Sequence, residues 1–89
     1  MKEPNLRMLV VEDQGELRRT IVTMLKRIGA TAVHNATKGE EALALFVRTP
    51  IDFVISEWNL PDMKGIDLLR QIRKIQILAA FPLSVARTI

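Results

Sequence analysis

Ile51-Asp52-Phe53-Val54-Ile55-Ser56-Glu57-Trp58-Asn59-Leu60-Pro61 is the stretch whose reading decides the fold. Pro50 breaks the segment before it. Ile51 to Ser56 is then mostly β-branched or aromatic and closes on a charged residue, which reads as a buried strand opening into a polar loop. Leu6 to Val11 repeats the pattern, an apolar run followed by Glu12-Asp13. Such runs suit parallel strands, which are covered on both faces.

Helical spacing fills the intervals. From Gln14 onward Leu17, Ile21, Met24 and Ile28 recur at steps of four, three and four, so one face of a first helix is expected to be buried through them. Gly29 ends that helix, because glycine takes the left-handed stop conformation at little cost. Ala30 to Ala36 is a weaker strand, suited to a sheet edge. Thr37-Lys38-Gly39-Glu40 matches a capping box, and a second helix to about Arg48 is expected to bury Ala42, Leu45 and Phe46. Beyond Pro61 and Gly65, the residues Ile66, Leu68, Leu69, Ile72 and Ile75 make a third amphipathic helix that nothing stops before Pro82. Leu83 to Ala86 closes the series as a short fourth strand. Strands alternating with helices imply an α/β, doubly wound parallel sheet joined by right-handed crossovers.

Composition sets the bounds. With 89 residues, 48% hydrophobic and 26% charged, residues 1–89 form a single globular domain with no room for a second core. The absence of cysteine removes disulfides and thiolate chemistry and fits a cytoplasmic location. No apolar run reaches the length of a membrane span, so no membrane association is expected. A formal charge of +3 admits nucleic acid as a partner, but Arg18, Arg19, Lys26 and Arg27 lie on one helix and Arg70, Arg73 and Lys74 on another, without interleaved aromatics; the expectation is no nucleic acid. His34, on an edge strand without a second ligand nearby, reads as a surface residue, and Met8, Met24 and Met63 as core or loop filling.

In doubly wound sheets, ligand sites gather beyond the carboxyl ends of the strands. Glu12 and Asp13 follow the first strand and Glu57 the third, so neighbouring strands would bring three carboxylates into one crevice, which calls for a cation or a bound proton. Oxygen ligands of this kind favour Mg²⁺. The other reading of Glu12 and Asp13 is a charged entry to the first helix, where carboxylates favour the positive dipole end.

At these residues the chain resembles the receiver domain of two-component response regulators. The resemblance is carried by LVVED at 9–13, Arg18-Arg19, Glu40-Glu41-Ala42-Leu43, VISEWNLPDMKG at 54–65 and Asp67-Leu68-Leu69, and the central stretch is most similar to chemotaxis-type receivers. It implies the flavodoxin-like receiver fold with strand order 2-1-3-4, a protein of phosphorelay signalling that is not an enzyme in the ordinary sense, and partners among histidine kinases and output proteins. It also implies that Glu12, Asp13, Glu57 and the backbone carbonyl of Asn59 hold Mg²⁺, that Glu57 occupies the phosphoacceptor position, and that Arg87 or Thr88 stands at the switch position.

Three departures redirect the expected function. Glu57 is longer than the usual aspartate by about 1.5 Å, enough to disturb in-line phosphoryl transfer. The switch position aligns with Arg87, and Thr88 faces the other way unless the register slips. The sequence ends before the fifth strand, its lysine and the final helix, so a truncated receiver with one sheet face half bare is expected, either self-associating as a homodimer through that face and the strand-four edge or marginally folded until a partner covers them. The reading that follows is a pseudo-receiver, not phosphorylated, acting through protein contacts; the alternative is a Mg²⁺-dependent receiver that still autophosphorylates on Glu57 or Asp13.

Overall fold

Alternation within β1 (Arg7–Val11) explains the layering, because Leu9 and Val11 point to one side of the sheet and Met8 and Val10 to the other, and all four are buried. The computed structural model describes residues 5–79 and 85–88, with side chains described through Gln76. After β1 come α1 (Gly15–Arg27), β2 (Ala32–Ala36), α2 (Gly39–Arg48), β3 (Phe53–Ser56), α3 (Gly65–Ala79) and β4 (Val85–Thr88). All strand pairs are parallel, as the alternation of strands and helices implied, and the order is β2-β1-β3-β4, as the resemblance implied.

The larger core lies under α2 and α3, where Leu9, Val11, Ala36, Ala42, Phe46, Val54, Leu68 and Ile72 meet. The smaller lies under α1, where Met8, Val10 and Leu25 are joined by Ile21, Val22, Val33, Phe53 and Ile55. The expected face of α1 is corrected by this packing. Leu25 and Val22 meet the sheet, whereas Leu17, Met24 and Ile28 are exposed and only Ile21 of the predicted stripe joins the core. Met24 is therefore not core filling, while Met8 is. Gly29 stops α1 at φ +104°, the left-handed value expected of it.

Other boundaries moved for local reasons. β3 begins at Phe53, because the Asp52 side chain leaves the strand to take the Arg7 backbone N–H at 2.9 Å and its guanidinium at 2.9 and 3.0 Å, clamping the entrances of β1 and β3 together. In α2, Leu45 is half-buried and Val47 exposed; in α3, Ile66 is exposed and Leu68 and Ile72 are sealed. β4 starts two residues later than the pattern suggested, where its backbone matches Phe53–Ser56, and Leu83, Ser84 and Ala80 lie outside the described residues.

Candidate functional site

The register of the sheet assembles the acidic site. Val11 pairs with Ser56, so the residues that follow, Glu12 and Glu57, leave adjacent strands at the same level. Their backbone N–H groups extend the ladder, Glu12 donating to the Ala36 carbonyl at 3.0 Å and Glu57 to the Val11 carbonyl at 3.0 Å. Glu12 is buried, Glu57 half-buried and Asp13 exposed.

Burial pushes the Glu12 carboxyl above its ordinary range; the Gln14 N–H pulls it back, and the neighbouring Glu57 and Asp13 carboxyls push it up again. The Gln14 N–H donates to a Glu12 carboxylate oxygen at 3.0 Å, and the Arg18 guanidinium donates to the Glu12 carbonyl at 2.9 Å, which ties Glu12 to the turn leading into α1, a helix whose N-cap, Gln14, makes no side-chain cap. Glu57 turns back on its own loop, with one carboxylate oxygen accepting the Trp58 N–H at 2.8 Å.

Oxygen-only donors match Mg²⁺ in type. Their placement matches less well: among the described residues no three acidic side chains gather round one point, and one oxygen each of Glu12 and Glu57 is already held by a backbone N–H. No chemical step is therefore routed through a metal. The arrangement sets a buried Glu12 carboxyl, raised above its ordinary range, beside those of Glu57 and Asp13.

The loop bearing Asn59 is closed on itself, with the Leu60 N–H donating to the Met63 carbonyl and the Gly65 N–H to the Trp58 carbonyl, while Leu60 is buried in the larger core. A second anchor went unseen in the sequence. Both carboxylate oxygens of Asp62 accept the first amides of α2, Gly39 N–H at 2.8 Å and Glu40 N–H at 2.9 Å, and Met63 packs so closely on Gly39 that a Cβ there would meet its side chain. This corrects the expected capping box. Lys38 takes the N-cap position and makes no side-chain cap, so Thr37 lies one residue outside the helix, and Glu41 reaches back to its N–H at 3.0 Å. An N-cap lysine that cannot accept a hydrogen bond was the available signal that the cap must come from elsewhere.

On the far side of β3, Arg87 of β4 pairs with Ile55 and Thr88 with Ser56, so by register Thr88 is the nearer of the two to the Glu57 position. His34 lies on the edge strand β2, as expected. No helix among the described residues is long and apolar enough to cross a membrane.

The response regulator receiver domain model matches residues 8–85. The chain is 36% identical over 78 residues to the chemotaxis protein CheY-3 of Vibrio cholerae, covering 88% of this chain and 60% of that protein. With the chemotaxis protein CheY of Pseudomonas aeruginosa it shares 36% identity over 77 residues, covering 86% of this chain and 62% of that protein. Among solved structures, the chemotaxis response regulator CheY4 of Vibrio cholerae superposes with a TM-score of 0.78 at 28% identity, over 90% of this chain and 66% of that one. The chain thus spans about three fifths of the length of the curated relatives it matches.

Proposed function

The chain belongs to the response regulator receiver family, and from that premise we propose that it is a pseudo-receiver: Glu57 stands at the phosphoacceptor position, is not phosphorylated, and leaves the domain to act in two-component signalling through protein contacts. The observation that carries the reading is the hydrogen bond from the Trp58 N–H to Glu57, which commits the longer side chain to its own loop. An attacking carboxylate oxygen must lie in line with the leaving group, and a misplacement of about 1 Å costs on the order of a hundredfold in rate.

Histidine kinases and output proteins are the partners of this reading. Nucleic acid is disfavoured, since α1 and α3, which carry the two basic clusters, lie on opposite faces of the sheet.

Mg²⁺ would need Glu12, Asp13, Glu57 and the Asn59 carbonyl to hold it, with Glu12 and Glu57 giving up the backbone N–H groups they now accept. Trp58, exposed beside Glu57, reports on this directly. Titration with millimolar Mg²⁺, alone and then with beryllium fluoride as a phosphoryl mimic, should leave its fluorescence without a saturable change. A saturable change that requires both additions would refute the pseudo-receiver reading.

A further inference from the structure

Two neighbouring arginines of α1 reach back to one place. Helical side chains lean towards the N-terminus, and Arg18 and Arg19 stand three and four residues after Gly15. A methyl group added to Gly15 would lie 3.2 Å from Arg19 Nη1 and 3.9 Å from Arg18 Nη2, so both guanidinium groups lie over the first turn, in space that the glycine leaves open. Arg18 is held there by its Nη1, which donates to the Glu12 carbonyl at 2.9 Å. Two cations so placed repel unless an anion joins them. Among the described residues neither forms an ion pair with a carboxylate, whereas Arg7 and Arg70 each do. Both arginines line one open groove of about 310 Å³ with Val22 and Thr23 of α1 and Asn35 of β2. The groove lies at the sheet edge opposite β4, and β1 separates it from the Glu57 position.

We propose that this groove binds a small phosphate monoester, with Arg18 and Arg19 on the phosphoryl oxygens and the Thr23 hydroxyl and Asn35 carboxamide on the polar body of the ligand. The number of donors selects a phosphoryl group over a carboxylate. One guanidinium satisfies both oxygens of a carboxylate, whereas a phosphoryl group offers three acceptor oxygens and about −1.5 to −2 of charge at neutral pH, enough for two cations. Size selects a small ligand, because the groove stands near the lower end of the range of about 300–1,000 Å³ for small-molecule sites. A nucleic-acid strand would need a run of such contacts, and no further lysine or arginine lines this groove. Val22 is its one apolar lining residue, which suits the hydroxylated body of a glycerol or sugar phosphate. The site stands apart from the pseudo-receiver reading, since the ligand keeps its phosphoryl group and no bond is made or broken.

The test titrates glycerol 3-phosphate into the whole chain at constant ionic strength, because salt screens exposed charges. Heteronuclear NMR follows the arginine Nε–H groups and the Asn35 side-chain amide. Saturable shifts at Arg18, Arg19 and Asn35 are expected in the millimolar range, with acetate at the same ionic strength producing none. Arg19→Gln should weaken binding about tenfold, the loss expected of a charge-assisted hydrogen bond. Arg27→Gln removes the same charge from the same helix outside the groove and should leave the affinity unchanged; both positions are exposed, so both variants should melt with the parent. The absence of a saturable shift in that range, an equal response to acetate, or an equal loss of affinity in the two variants would overturn the proposal.

Discussion

Replacing Asp62 with alanine should destabilise the domain by about 1–2 kcal/mol, although the side chain is exposed and lies in a loop. Surface substitutions usually fall within about 0.5 kcal/mol of neutral. Asp62 differs because its carboxylate holds two amides at the start of a helix 22 or more residues away in sequence, at 2.8 and 2.9 Å, and α2 has no cap of its own. Loss of a capping side chain costs about 0.5–2 kcal/mol, and loss of a negative charge at a helix N-terminus about 0.3–1 kcal/mol when exposed. In a domain of this size each kcal/mol lowers Tm by roughly 4–8 °C. The melt should be followed by far-ultraviolet circular dichroism and by Trp58 fluorescence, with Asp62→Asn as the control that keeps an acceptor. The pH dependence gives a second handle. Burial raises the Asp62 carboxyl, but the Glu40 and Gly39 amides outweigh it and hold it below its ordinary range. A group depressed in the folded state stabilises above its unfolded pKa, and that contribution is lost as pH falls through the folded value. The gap between parent and Asp62→Ala should therefore be full at neutral pH and close in acid. A loss under about 0.5 kcal/mol at neutral pH, or a gap that persists in acid, would refute the capping role.

Glu12 should behave in the opposite sense. Its carboxyl is raised in the fold, so its contribution is fully present below the ordinary glutamate range and is lost as pH rises through the folded value; Glu12→Gln should raise the urea midpoint at neutral pH and make no difference in acid. Gly39→Ala forces the flexible Met63 side chain to turn aside and should cost no more than about 1 kcal/mol, with Met63→Ala in the same chain removing that cost, as a double-mutant cycle would measure. Leu68→Ala removes a sealed side chain from the larger core and should cost about 2–5 kcal/mol, a large part of the stability of a small domain, visible as a loss of cooperative melting or a much lower midpoint.

The order of elements was legible because it rests on local signals, the apolar runs at Leu6–Val11 and Ile51–Ser56 and the helical spacing between them, whereas the order of the strands came from the resemblance to receiver domains. The acidic pair was legible for the same reason, since residues that follow adjacent parallel strands must emerge together. What the sequence hid was which neighbour covers a given face. The steps of four, three and four in α1 report an apolar stripe, but only the position of the helix over β1 and β2 reveals that Leu25 and Val22 meet the sheet while Met24 and Ile28 face outward. Asp62 was hidden by distance, because its partners at Gly39 and Glu40 belong to another crossover and a nearer threonine fitted the capping pattern. The direction of the Glu57 carboxylate was hidden as well, being settled by one bond to Trp58.

That bond leads to the central claim, that the domain has been released from phosphorylation. Its most direct test is intact-mass spectrometry of the chain after incubation with acetyl phosphate and millimolar Mg²⁺, followed by peptide mapping. The account predicts an unmodified mass at every time point. A phosphoryl adduct mapping to Glu57 or Asp13 would contradict it and restore a working receiver as the reading of this chain.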